Sequence, residues 1–85
     1  MKGGDTMKVL INSIEKVKSF VKIAESIDSD IFLKCGRYVI DGKSIMGIFS
    51  LNLSDNIEME ITEKVDGEAE DFCNRLREAG IAVEE

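Results

Sequence analysis

Histidine is absent from the 85 residues of this chain. That removes imidazole as a metal ligand, as the usual general base and as a phosphate acceptor. Cysteine is scarce. Cys35 and Cys73 form no CxxC pair for metal or redox work, and in a chain of this kind they are expected to be free, small and buried. Long apolar runs are missing as well, so no segment is expected to span a membrane. The first residues lack a charged stretch followed by an apolar one, so no secretion signal is read and the cytoplasm is the expected location. Positive charge is in the minority, with a net charge of −6. Nucleic acid rewards clustered Lys and Arg, so it is not an expected partner. No repeat or low-complexity segment is present.

What remains is the composition of an ordinary globular domain, 44% apolar and 33% charged. A chain of 85 residues buries one modest core and not two. Residues 1–6, with Gly3-Gly4, read as a flexible lead-in and residues 7–85 as the single domain. Lys16, Lys18 and Lys22 lie in the first third, Arg37 and Lys43 near the middle, and residues 58–85 are strongly acidic. That asymmetry reads as solvated faces.

Apolar alternation over residues 7–12 predicts a first strand, with Met7, Val9 and Ile11 on one face. Asn12-Ser13 offers a helix cap. Ile14, Val17, Val21, Ala24 and Ile27, with Phe20 beside them, then recur at helical spacing, while Lys16, Lys18, Lys22 and Glu25 take the other side. Asp28-Ser29-Asp30 breaks the helix. Residues 31–35 and 38–41 read as a hairpin around Gly36-Arg37. Residues 53–56 read as a turn in which Asn56 can take a positive φ. Ile57, Met59 and Ile61 alternate with Glu58, Glu60 and Thr62 in a half-buried strand. Asp66-Gly67 turns the chain. Ala69, Phe72, Cys73, Leu76 and Ala79 mark the core stripe of a last helix that Gly80 ends, leaving Ile81 and Val83 as final packing candidates.

Between the hairpin and residue 53 lies the stretch with most to say about function, Gly42-Lys43-Ser44-Ile45-Met46-Gly47-Ile48-Phe49-Ser50-Leu51. Ser44 is a good N-cap, so a short helix over 44–51 is expected. Ile45, Met46, Phe49 and Ile48 are more apolar surface than a turn and a half usually needs, so the helix reads either as a buried connecting helix or as one half-exposed at an interface. The element order is therefore β-α-β-β-α-β-α. It fits an α/β (α+β) open-faced β-sandwich, a four-stranded sheet with three helices on one face.

The order Lys43-Ser44-Ile45-Met46-Gly47, followed by a second apolar stretch ending at Leu51, resembles the regulatory-serine region of HPr. HPr is the small phosphocarrier protein of the bacterial sugar phosphotransferase system. The resemblance runs from about Met7 to Gly80. It implies the same open-faced sandwich. It also implies an active-site histidine just before the first helix, with arginine two positions later and proline next. Counted back from Ser44 without gaps, the histidine position falls on Ser13, the arginine position on Glu15 and the proline position on Lys16. The loop before that helix is also shorter than the family's.

As a substitute nucleophile Ser13 is poorly suited. A serine ester lacks the lability of phosphohistidine, Glu15 would repel an incoming phosphoryl group, and a helix cap accounts for the residue. No other nucleophile comes with a positioned base, so no enzyme and no cofactor is expected. Asp28, Asp30, Glu68, Glu70 and Asp71 read as a turn and as acidic residues at a helix start, so no metal is expected.

The resemblance further implies that Ser44 is phosphorylated by a dedicated serine kinase. The modified protein then binds a transcriptional repressor in carbon catabolite control. Ile45, Met46 and Phe49 match the family's apolar docking patch, with Lys43 and Lys16 as flanking cations. The expected function is thus a regulatory or adaptor protein of the phosphotransferase-system family without histidine phosphocarrier chemistry, acting as a monomer. A carrier using another residue, or a degenerate domain with an unrelated partner, are the alternatives. An edge-paired or swapped dimer is open to such a sheet.

Overall fold

The structure, a computed structural model, describes residues 5–51 and 57–84. The expected turn at 53–56, with Asn56, lies outside the described residues. Eight elements follow in order: β1 (Asp5–Leu10), α1 (Ile14–Glu25), β2 (Asp30–Cys35), β3 (Tyr38–Asp41), α2 (Ile45–Phe49), β4 (Ile57–Thr62), α3 (Glu68–Glu78) and β5 (Ala82–Glu84). The strands form one antiparallel sheet in the order β3-β2-β4-β1-β5.

Alternation decides which face of the sheet is covered. Met7 and Val9 of β1, Ile31 and Leu33 of β2, Ile57, Met59 and Ile61 of β4 and Val83 of β5 are all buried. Between them Lys8, Glu58 and Glu84 are exposed on the open face. The helices supply the other half of the core. Val17, Phe20, Val21 and Ala24 come from α1, Ile48 from α2, and Ala69, Phe72, Cys73 and Leu76 from α3. Phe20 and Phe72 meet edge to face, with ring centroids 5.6 Å apart and planes at 77°, the arrangement the ring quadrupoles favour.

The architecture is the expected open-faced sandwich with one correction. The sheet has five strands and not four, because Ala82–Glu84 returns along β1 as an edge strand. The turn that allows this is a Schellman motif. Gly80 takes a φ of +87°, its N–H bonds the Arg77 carbonyl, and the Ile81 N–H bonds Leu76 O at 2.9 Å.

Smaller boundaries shift too. β1 starts at Asp5, inside the stretch expected as a lead-in, because Asp5 and Thr6 pair with Ile61 and Glu60 of β4. Ile14 and Ala79, expected in the core stripes, are exposed at helix ends, where the stripe has run past the sheet. Neither cysteine forms a disulfide among the described residues; Cys73 is buried and Cys35 half-buried.

Candidate functional site

The site around Ser44 is built by the way β3 ends. The Gly42 N–H continues the β2–β3 ladder by bonding Ile31 O at 2.7 Å. A Cβ on Gly42 would stand 2.6 Å from Ile31 Cγ2 and 3.1 Å from its carbonyl, so only glycine fits this crossing. Asp41 then organises the turn. Its Oδ1 accepts from the Lys43 N–H at 2.9 Å and its carbonyl from the Ser44 N–H at 3.0 Å.

Ser44 is the N-cap of α2, with extended backbone (φ −105°, ψ 104°). Its Oγ accepts from the Gly47 N–H at 3.2 Å, satisfying one of the helix's free donors. The helix itself is shorter than the expected 44–51, ending at Phe49, and Leu51 is buried beyond it. Its apolar residues divide cleanly. Ile48 is fully buried and Ile45 packs partly on the core, while Met46 is 78% and Phe49 41% exposed. Ile14, at the start of the helix that α2 packs on, is 59% exposed. Met46, Phe49 and Ile14 are thus large apolar side chains left in solvent.

The flanking cations are placed differently from each other. The Lys43 ammonium donates to the Ile27 carbonyl at 2.8 Å. It thereby clamps the end of the α1 region to the α2 turn, a role that nothing in the local sequence signals. Lys16 is half-buried in the first turn of α1, and its backbone N–H donates to Ser13 Oγ at 3.2 Å. Ser13 is therefore the N-cap of α1, and Glu15 is the acidic residue of the first turn.

Behind the Lys43 clamp lies a polar cluster that the sequence reading did not single out. Ser29, fully buried, donates its hydroxyl to Glu68 Oε1 at 2.5 Å. The same carboxylate accepts the N–H groups of Ser29 at 2.9 Å and Asp28 at 3.2 Å. In turn Ser29 Oγ accepts the Lys64 N–H at 2.9 Å. The Ser29 hydroxyl, then the two amides and the Lys43 ammonium, hold the Glu68 carboxyl below its ordinary value, while partial burial works against them. Glu68, Asp28 and their neighbours thus serve each other. Among the described residues no group of three or more His, Cys, Asp or Glu is gathered as a metal site.

A groove of about 330 Å³ runs between β1 and α3, lined by Thr6, Met7, Ala69, Glu70, Cys73, Asn74 and Arg77. It contains none of the residues around Ser44. No helix among the described residues is long and apolar enough to cross a membrane.

The family model described as the PTS HPr component phosphorylation site matches residues 15–79, well over half of the chain. The matched span contains all of α2 and its cap. It starts two positions after Ser13. No curated protein matches the chain significantly.

Proposed function

We propose, from the premise that this chain belongs to the HPr family of the phosphotransferase system, that it is a non-enzymatic regulatory or adaptor protein of that family. It docks protein partners through Met46, Phe49 and Ile45 and is controlled by phosphorylation of Ser44. The observation that carries this reading is α2 itself. A serine caps a helix whose Met46 and Phe49 face solvent, within the span the family model matches.

The chemistry of the chain supports the loss of phosphocarrier activity. With no histidine there is no imidazole to hold a labile phosphoryl group. Ser13, which an ungapped count back from Ser44 puts at the histidine position, spends its oxygen on the Lys16 amide. A phosphate on Ser44 would add close to two negative charges beside an exposed apolar patch. It would alter what binds there without entering the core, since Ile48 alone anchors the helix fully. The partners proposed are a serine kinase of the family and a repressor that reads the modified form, in the cytoplasm. Lys43 contributes by holding the turn; Lys16, Ile45, Met46 and Phe49 line the contact.

The test is intact-mass analysis after incubation with ATP and the family's serine kinase. The expected result is a gain of one phosphate that a Ser44→Ala variant does not show. No gain, with an authentic HPr labelled in a parallel tube, overturns the phosphoswitch and leaves the patch as a binding surface only. Acid-labile phosphate transferred from phosphoenolpyruvate by the system's first enzyme would overturn the loss of carrier activity.

A further inference from the structure

β3 is the edge of the sheet, and no described strand covers its outer side. Edge strands are usually blunted by being short, by charged side chains, above all lysine, by a proline or by a bulge; β3 is short and ends in Asp41. Over its four residues, Tyr38-Val39-Ile40-Asp41, it has no lysine, proline or bulge, and Tyr38 and Val39 are 68% and 59% exposed.

The register fixes which backbone groups face outward. Cys35 pairs with Tyr38 across a two-residue turn, and Gly42 bonds Ile31 at the far end. Hydrogen-bonded pairs in an antiparallel ladder alternate. Tyr38 and Ile40 therefore turn their N–H and C=O groups toward β2, and Val39 turns both of its groups away from it.

We propose that this edge pairs with the same edge of a second copy, antiparallel, about a two-fold axis that is perpendicular to the sheet and passes midway between the two Val39 residues. The partner is chosen by complementarity. Of the two-fold registers open to so short a strand, the one centred on Val39 sets the two Val39 residues opposite each other on the open face, exchanging both of their backbone hydrogen bonds. It sets Tyr38 opposite Ile40 on the helix face, an aromatic against a β-branched side chain, twice. It also sets Arg37 opposite Asp41, twice. Arg37 projects from the turn, is exposed and has no ion-pair partner among the described residues. Asp41 is exposed, with only Oδ1 engaged by the Lys43 amide.

The interface is self-complementary, as a closed two-fold dimer requires. It is small, so the dimer is a weak, concentration-dependent one. Because α2 packs on β3, the pairing places both α2 helices on the same side of a continuous ten-stranded sheet. The dimer then offers two copies of the Met46–Phe49 patch in one direction.

Sedimentation velocity of the whole chain tests this, with Arg37→Asp and Asp41→Arg each run alone and as an equimolar mixture. Far-UV circular dichroism checks that each folds. The wild type is expected to shift toward dimer as its concentration rises from about 10 μM to about 1 mM. Each single substitution places like charges opposite each other and should weaken association at least about tenfold, and mixing the two should restore it. Val39→Pro, which removes an outward N–H without touching the β2 ladder, should weaken it as well. A wild type that stays monomeric throughout overturns the proposal. So does a dimer that persists unchanged in Val39→Pro, or single variants whose mixture does not recover.

Discussion

Gly47 is where α2 rests on the sheet. A Cβ there would lie 2.6 Å from Ile40 Cγ2 and 3.2 Å from Ser44 Oγ. Glycine inside a helix ordinarily costs about 1 kcal/mol relative to alanine, so propensity alone would make Gly47→Ala stabilising. The contact reverses the sign. Ile40 is β-branched and stiff at χ1, it sits in a strand, and the second neighbour is the cap itself. Gly47→Ala is expected to destabilise by roughly 1–3 kcal/mol, the range for overpacking, and to slow the phosphorylation proposed at Ser44 by pushing its side chain. Urea unfolding read by circular dichroism checks the first effect. A variant at least as stable as wild type would mean α2 can lift off the sheet freely. The cap at Ser44 was legible in the sequence because capping is local. The need for glycine three residues later was not, because it comes from Ile40 across the α2–β3 contact.

At the scale of elements, α2 carries two kinds of apolar residue that the sequence could not tell apart. One turn and a half of helix has too few residues for a periodic stripe to emerge. The structure separates them by exposure, with Ile48 at 0% and Met46 at 78%. An aspartate substitution should therefore give opposite results at the two positions. Met46→Asp is expected to fold with wild-type stability and to lose partner binding. Ile48→Asp buries a charge without a partner, and is expected to cost more than about 3 kcal/mol and to prevent folding. Thermal melts and a binding assay with the kinase separate the cases; equal destabilisation by both would mean that Met46 is packed and not presented. The longer elements were easier to read. α1 and α3 announced their core faces through Val17, Val21, Phe72 and Leu76, and β4 through strict alternation. β5 escaped because three residues, with only Val83 buried, carry no period to detect.

At the scale of the whole molecule, the helical layer is tied together by polar groups that are distant in sequence. Glu68 begins α3, yet its carboxylate bonds Ser29, 39 residues earlier, and Ser29 in turn accepts from the backbone of Lys64. Lys43 reaches Ile27 from the turn that precedes α2. The α1–β2 loop is thus held from the α2 turn on one side and from the start of α3 on the other. Glu68 reads in sequence as one of several acidic residues at a helix start, since only folding brings Ser29 to it. The linkage gives a pH dependence with a definite sign. The folded Glu68 is more acidic than its ordinary value of 4.5. Its contribution to stability is therefore fully present above that value and is lost as pH falls through the lower folded value. Glu68→Gln keeps the size of the side chain and removes the charge. It is expected to be less stable than wild type at about pH 7, with the gap narrower at about pH 3, because lowering the pH drives protonation of wild-type Glu68. Urea midpoints at both pH values measure the gap. A gap of the same size at both would mean that Glu68 acts through shape and neutral hydrogen bonds alone. A closing gap would identify its charge as one source of the acid sensitivity of the joint behind Ser44.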